Sequence, residues 1–117
     1  MKRIYVAGPY SADNVIDVLK NIGRGRHMCA ILFEKGYAPF CPWHDSSYIL
    51  DNPESEFDIK QFQEVSMRWL EVCDAVLVLT GWRGWEKSNG TAAEIRRAES
   101  LGIPVFYNNS DLYKWSK

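Results

Sequence analysis

The stretch that decides the fold is residues 80–94, TGWRGWEKSNGTAAE. It follows the apolar run 75–79, which is short and does not alternate with polar residues, as expected of a buried parallel strand. It leads into 91–101, an amphipathic pattern that ends at Gly102 and predicts a helix. In α/β proteins a strand, a polar glycine-containing loop and a helix N-terminus form a place where backbone N–H groups and the helix dipole bind phosphate.

One carboxylate, Glu94, lies at the predicted start of that helix. The segment 91–94, TAAE, matches a capping box, so a structural role for Glu94 is an alternative to a chemical one. We expect a carboxylate near a helix N-terminus to stay ionised at neutral pH, which suits a nucleophile. The end of the preceding loop offers a candidate anion-binding site formed by Ser88, Asn89, Gly90 and Thr91. The alternative is that these residues form an ordinary capped helix start.

Composition and charge limit the classes of function. The 117 residues are 46% hydrophobic and 25% charged, as in a soluble globular protein, and predict one domain over 1–117. The net charge of −1, with scattered Lys and Arg, argues against a nucleic-acid polymer as partner. The three cysteines are widely separated without metal-ligand spacing and suggest reduced thiols. No apolar run is long enough for a membrane span. We therefore expect a cytoplasmic protein with no cofactor, no metal and no membrane contact.

The remaining chain alternates strand and helix patterns. A strand at 3–7 ends at Gly8, where glycine lets the backbone come close to another group. Short strands at 37–40 and 103–107 and helices between them predict a three-layer α/β sandwich. Its doubly wound parallel sheet, Rossmann-like or flavodoxin-like, would have four to five strands. Right-handed crossovers place the turns after the first and third strands at the same sheet edge.

Aromatic side chains are concentrated in two of the loops. Trp82 and Trp85 could stack on a base or form a lid that packs on its own domain. Residues 41–56 are expected to form a long loop without regular structure, which in a compact domain is usually functional. This loop contains His44, either a catalyst or a histidine with only local hydrogen bonds.

Three stretches resemble the nucleoside 2-deoxyribosyltransferase superfamily: IYVAGPY at 4–10, LEVCDAV at 70–76 and SNGTAAE at 88–94. The resemblance covers essentially the whole chain, and it is closest to the small branch that includes the deoxynucleoside-monophosphate N-glycosidases. Members of the superfamily cleave the N-glycosidic bond with a glutamate that attacks the anomeric carbon of the sugar. The resemblance implies a nucleotide or nucleoside substrate and a homo-oligomer, expected to be a dimer, since neighbouring subunits often complete such sites.

The resemblance also implies roles for individual residues. Glu94 matches the family's nucleophile, which is consistent with the need of an oxocarbenium-like centre for a nearby carboxylate. Tyr5 and His44 are the further catalytic candidates. The substrate-binding candidates are Gly8, Pro9, Tyr10, Ser66, Trp82, Trp85, Ser88, Asn89, Gly90 and Thr91.

Two departures from the family pattern leave alternatives open. Ser66 lies where the family usually has an aspartate, and residues 9–11 lack the arginine that the monophosphate branch uses. One alternative is a ribonucleoside-monophosphate phosphoribohydrolase of the lysine-decarboxylase-like type, although its usual Pro-Gly-Gly turn is absent. The other is a nucleotide-binding sensor without turnover.

Overall fold

A computed structural model describes residues 1–81 and 83–117 and contains a parallel sheet flanked by helices. The four strands, in the spatial order β2-β1-β3-β4, are β1 (Arg3–Ala7), β2 (Ala38–Phe40), β3 (Ala75–Val78) and β4 (Val105–Phe106). The predicted fold class is confirmed. The short β2, which contains Pro39, lies at one edge of the sheet, as a strand with a missing amide donor must.

Helices cover both faces of this sheet. The α-helices are α1 (Val15–Glu34), α2 (Tyr48–Asp51), α3 (Ile59–Leu70), α4 (Asn89–Ser100) and α5 (Asn109–Ser116), and 3-10 helices span Pro42–Ser47 and Trp85–Lys87. No helix in the described ranges is long and apolar enough to cross a membrane.

Alternation along β1 divides the core into two halves. Ile4 and Val6 belong to the half that includes side chains of α1 and α5, whereas Tyr5 and Ala7 belong to the half that includes side chains of α3 and α4. All four of these residues are fully buried. Tyr5 therefore points toward the side of the sheet on which α4 carries Glu94.

The segment 41–56 differs from the structureless loop expected from its sequence. It contains the 3-10 helix Pro42–Ser47 and then α2. The indole of Trp43 is buried and occupies the space that a Cβ on Gly25 of α1 would need. Packing between residues far apart in sequence, rather than local periodicity, therefore orders this segment.

The turns after β1 and β3 lie at the same edge of the sheet, as predicted. The two strands pair in parallel with Ala7 opposite Val78, and the N–H of Leu79 donates to the carbonyl of Ala7 at 2.8 Å. The start of the loop after β3 and the turn that begins at Gly8 are therefore neighbours.

Candidate active site

β1 and α4 bring together two of the candidate catalytic side chains. The hydroxyl of Tyr5 donates a hydrogen bond to Oε2 of Glu94, the sixth residue of α4. Tyr5 is fully buried, and Glu94 is half-buried. Two residues that are 89 positions apart in the sequence thus form one buried acid–phenol pair near the carboxyl edge of β1 and β3.

Burial controls the protonation of this pair. It raises the pKa of Glu94 to about 8, while the hydrogen bond from Tyr5 acts in the opposite direction. Burial also raises the pKa of Tyr5 far above its usual value, and the charge of Glu94 adds to that rise. The phenol is therefore a neutral donor, and most Glu94 carboxyl groups hold a proton at neutral pH. The expectation that Glu94 is ionised at neutral pH was wrong, because desolvation outweighs the helix dipole.

Helix α4 begins at Asn89, two residues before the predicted start at Thr91. Ser88 is the N-cap: its Oγ accepts from the N–H of Thr91 at 3.2 Å and from the Thr91 hydroxyl at 2.9 Å. The capping box expected between Thr91 and Glu94 is therefore not formed. Asn89 and Gly90 are exposed in the first turn, where backbone amides lack an intrahelical acceptor. Gly90 and Glu94 are roughly 6 Å apart along the helix axis.

The turn after β1 is packed against Trp43. A Cβ on Gly8 would come within 3.1 Å of the Trp43 ring, so glycine permits the close approach of this indole. The Nε1 of Trp43 donates to the carbonyl of Pro9 at 3.1 Å, and Nδ2 of Asn21 donates to the carbonyl of Tyr10 at 3.2 Å. The close contact predicted at Gly8 is thus one with the protein itself, and a substrate contact there remains a prediction.

A row of aromatic rings connects the acid–phenol pair to His44. Phe40 stacks on Tyr5 with ring centroids 5.5 Å apart and on Trp69 at 5.6 Å. His44 meets Phe40 edge-on at 5.5 Å, and its Nε2 lies 3.4 Å from the hydroxyl of Tyr48. His44 is exposed and is separated from Tyr5 by one ring. His44 therefore lies near the acid–phenol pair, with the ring of Phe40 between them.

Ser66 belongs to the same group of side chains. It is half-buried on α3, and its interaction with the phenol of Tyr5 acts against the rise in the pKa of Tyr5. Ser66 is therefore a polar neighbour of the pair that Tyr5 and Glu94 form. Ser66 accordingly has a polar partner in place of purely apolar packing.

Asp45 was not selected from the sequence as a site residue. It is buried, and its Oδ1 has no hydrogen-bond partner in the described part of the chain. Burial raises its pKa, while a hydrogen bond from Tyr10 opposes this rise. Burial and the charge of Asp45 together raise the pKa of Tyr10 to about 12. A carboxylate directly after His44, within an aromatic segment, is the sequence signal that could have identified it.

Of the two loop tryptophans, the structure describes Trp85 but not Trp82. Trp85 is half-buried, packs against the Tyr5 side of the core and lies 5.9 Å from Tyr107, ring centroid to ring centroid. This contact fits the packing alternative for Trp85. Trp82 lies outside the described residues, so the prediction about it is untested.

Two surface cavities are lined by residues other than Tyr5 and Glu94. One follows α3 and α4 (Lys60, Gln63, Glu64, Met67, Arg68, Glu71 and Arg97), and the other lies beyond the ends of β3 and β4, with Arg24 and His27 of α1 in its lining. Among the described residues, no group of three or more His, Cys, Asp or Glu side chains is arranged to hold a metal ion.

Similarity to known proteins agrees with this architecture. A family model with the description "Domain of unknown function (DUF7768)" matches residues 2–108. No curated protein matches the chain.

Two solved structures share the fold. A 2-deoxyribosyltransferase from the psychrotolerant bacterium Bacillus psychrosaccharolyticus is 22% identical and superposes with a TM-score of 0.59, covering 88% of this chain and 69% of that one. A 2-desoxiribosyltransferase from Leishmania mexicana is 24% identical with a TM-score of 0.62, covering 90% of this chain. This chain spans 62% of the length of the Leishmania protein.

Proposed function

The chain belongs to the DUF7768 family, whose description assigns no activity, and we propose a function for it from the site itself. The protein cleaves the N-glycosidic bond of a (deoxy)nucleoside 5′-monophosphate or nucleoside, with Glu94 as the nucleophile. The observation that carries this proposal is the buried hydrogen bond between Tyr5 and Glu94. It holds one carboxylate oxygen and leaves the other to approach a sugar.

The reaction needs two steps at the anomeric carbon. In the first, the Glu94 carboxylate forms a bond to C1′ while the bond from C1′ to the base nitrogen breaks and the base leaves with that electron pair. In the second, water or another base attacks C1′, and the glycosyl ester returns its electrons to the carboxylate. His44, one ring away from Tyr5, is the candidate that gives a proton to the leaving base.

The proposed nucleophile is active only as a carboxylate. With a pKa of about 8 for Glu94, the ionised fraction in the free protein grows as the pH rises toward that value. Turnover should therefore increase from neutral to mildly alkaline pH. Burial also removes solvation from the carboxylate, which makes the ionised form a stronger nucleophile.

A 5′-phosphate, when the substrate carries one, is proposed to bind at the N-terminus of α4. The exposed first turn at Asn89 and Gly90 offers backbone donors and the positive end of the helix dipole. The distance of roughly one helical turn to Glu94 suits a sugar that bridges the two groups. The names of the two structural neighbours, both deoxyribosyltransferases, support a sugar-transfer reaction on this fold.

We also propose that residues 1–117 act as one such domain within a homodimer. The argument is the apolar side chains left exposed on α3, among them Ile59 at 71% and Trp69 at 53% of their accessible surface. Trp69 stacks on Phe40, which in turn stacks on Tyr5. A partner on this face would therefore cover one wall of the site.

The experiment that tests the function is a measurement of free base released from a panel of ribo- and deoxyribonucleotides and nucleosides. We expect release from deoxynucleoside substrates by the wild type. Glu94→Gln should lower it by at least about 10³-fold, the order found when a nucleophile is removed. Glutamine keeps the size of the side chain and an oxygen that can accept from Tyr5, so the fold should be preserved.

Glu99→Gln is the matched control, because Glu99 is exposed on the same helix. It should leave base release unchanged. Release by Glu94→Gln at the wild-type rate would exclude Glu94 as nucleophile. Release from ribonucleoside monophosphates alone would favour a phosphoribohydrolase, and binding without any release would favour a sensor.

A further inference from the structure

One cavity at the carboxyl edge of the sheet has no part in the proposed reaction. It lies where β3 and β4 end, beside the middle of α1, and has a volume of about 450 Å³. Sites for small molecules usually have volumes of about 300–1,000 Å³. In open α/β sheets, ligands bind outside the carboxyl ends of the strands. The residues of its lining that matter here are Arg24, His27, Thr80, Gly81, Tyr107 and Asn109.

The sheet separates this cavity from the acid–phenol pair. Tyr5 belongs to the half of the core that includes side chains of α3 and α4. Met28, which lines the cavity, packs against the other half, on the side of α1 and α5. The cavity and the pair are therefore near one edge of the sheet but on opposite faces. Because neither Tyr5 nor Glu94 lines the cavity, a molecule held there is a second ligand.

The wall of the cavity that α1 provides carries basic side chains. Arg24 and His27 are exposed and lie about one helical turn apart. None of the described residues in the lining is Asp or Glu. Asp111, in the first turn of α5, is outside the lining, and its carboxylate accepts from Nδ2 of Asn108 at 2.9 Å. This wall favours an anion, and phosphate above all, because a guanidinium donates paired N–H groups to phosphate oxygens.

A buried asparagine positions the arginine. Nη1 of Arg24 donates to Oδ1 of Asn21 at 3.3 Å, and Nδ2 of Asn21 donates to the carbonyl of Tyr10 at 3.2 Å. Only 6% of the surface of Asn21 is exposed. The guanidinium is thus connected to the turn after β1 through a side chain that packing holds in place. A positioned side chain loses less conformational freedom when a ligand binds, which favours binding.

The opposite wall supplies donors and an aromatic ring. The hydroxyl of Thr80 donates to the carbonyl of Tyr107 at 3.0 Å, which joins the two strand ends. Asn109 begins α5, where backbone N–H groups lack an intrahelical acceptor. Tyr107 is 42% exposed, so part of its surface is available to a ligand. Aromatic side chains stack on any nucleobase, because every base has a π-face.

We propose that this cavity is a second ligand site, which binds a nucleoside monophosphate with its phosphate at Arg24 and His27 and its base at Tyr107. The described lining contains no carboxylate or thiol that could act as a nucleophile, so the ligand is bound there and not cleaved. Because the phosphate supplies the charge that the α1 wall recognises, the nucleoside without its phosphate should bind more weakly.

The first test is an NMR titration of the isotope-labelled wild-type chain at low salt. The probes are adenosine 5′-monophosphate, adenosine and inorganic phosphate. The backbone amide signals of Gly81 and Asn109 should shift to saturation with the monophosphate. Adenosine and phosphate should each bind more weakly, because each lacks one of the two groups that the cavity contacts. Phosphate binding as tight as that of the monophosphate would refute the contact of the base with Tyr107. Signals of Gly81 and Asn109 that do not respond would overturn the proposal.

A pair of variants tests the basic wall. Arg24→Gln should raise the Kd measured from Gly81 and Asn109 roughly ten- to hundredfold, since it removes a hydrogen bond to a charged group. Arg26→Gln is the matched control: Arg26 is exposed on the same helix but outside the lining, and its loss changes the net charge equally. This variant should keep the wild-type Kd. Equal effects of the two substitutions, or no effect of Arg24→Gln, would overturn the site.

The amide signal of Gly90 reports separately on the phosphate site proposed at α4. Arg24→Gln should leave the Kd measured from Gly90 unchanged. A monophosphate that shifts Gly90 but neither Gly81 nor Asn109 would overturn the second site and leave the proposed function intact. Binding at Gly81 and Asn109 in a protein that releases no base from any substrate would refute the proposed function alone, since the titration does not depend on turnover.

Discussion

Tyr5 and Glu94 show how a residue's environment can reverse the behaviour expected from its position. An acid near a helix N-terminus ordinarily has a lowered pKa, yet Glu94 lies in the second turn of α4 and its carboxyl is shielded from water. Burial raises its pKa to about 8. Within residues 1–81 and 83–117, the phenol of Tyr5 is the group whose hydrogen bond partly reverses this rise. Tyr5 is therefore expected to set the pH at which the proposed nucleophile becomes active.

Tyr5→Phe should move the rising limb of the pH profile of kcat/KM to higher pH. The change removes the hydrogen bond that favours the carboxylate and keeps the ring that stacks on Phe40. The pKa of Glu94 should then rise above about 8, so activity at neutral pH falls. Base release measured from neutral to alkaline pH reports the shift.

Tyr37→Phe is the matched control for this measurement. Its hydroxyl hydrogen-bonds to Ser116 of α5, on the other side of the sheet. This variant should keep the wild-type profile. A limb that moves to lower pH in Tyr5→Phe would contradict the assigned role of the phenol.

At the scale of elements, the residue at which α4 begins determines whether Glu94 caps the helix or pairs with Tyr5. Because Ser88 caps the helix, the first turn contains Asn89 and Gly90, and Thr91 turns its hydroxyl back to Ser88. Had Thr91 been the cap, Glu94 would have been the third helical residue and bound to a backbone amide. The earlier start releases Glu94 from capping and leaves it free to pair with Tyr5.

Ser88→Ala should weaken binding of a monophosphate more than binding of the matching nucleoside. Loss of a hydrogen bond to a charged group corresponds to a roughly ten- to hundredfold rise in KM for the monophosphate. Loss of the cap should also lower the free energy of unfolding by about 0.5–2 kcal/mol. Steady-state kinetics with both substrates and thermal unfolding measure the two effects.

Asn108→Ala is the control that distinguishes the loss of a helix cap from the loss of phosphate binding. Asn108 caps α5, where its Oδ1 accepts from the N–H of Asp111 at 2.8 Å. A similar loss of stability with an unchanged ratio of the two KM values is expected. Equal effects of Ser88→Ala on nucleoside and monophosphate would argue against a phosphate site at this helix end.

At the scale of the whole molecule, the helix layer next to the site retains an apolar outer face. Val65 and Trp69 lie about one helical turn apart on α3 and are about half exposed, at 47% and 53%, and Ile59 at the start of the same helix is 71% exposed. Isolated exposed apolar residues are ordinary, but a group of them on one helix is a common feature of protein interfaces. We expect this face to be the dimer contact.

Light scattering should therefore give the mass of a dimer at micromolar concentration. Val65→Glu, which places a charge one helical turn from Trp69, should shift the protein toward monomer and lower base release. Phe33→Glu at the far end of α1, where Phe33 is 75% exposed, is the control and should stay dimeric. A wild-type monomer under assay conditions would refute the dimer.

Local pattern determined the architecture of this protein. Apolar runs without alternation and helical spacing closed by glycine are short-range properties, so the parallel sheet and the two converging turns could be predicted without knowing any tertiary contact. The resemblance in the stretches around Tyr5 and Glu94 selected the same two residues that the fold brings together. Glu94 could be identified from the sequence because a motif is defined by residue types at a fixed spacing.

Tertiary structure alone decided how those residues behave. The high pKa of Glu94 comes from desolvation by parts of the chain far away in sequence, which no local pattern records. The order in residues 41–56 depends on Trp43, whose ring fills the space left by Gly8 and Gly25 on other elements. The protonation of Glu94 and the space around Trp43 both depend on distances between residues far apart in sequence, which are set when the layers pack together.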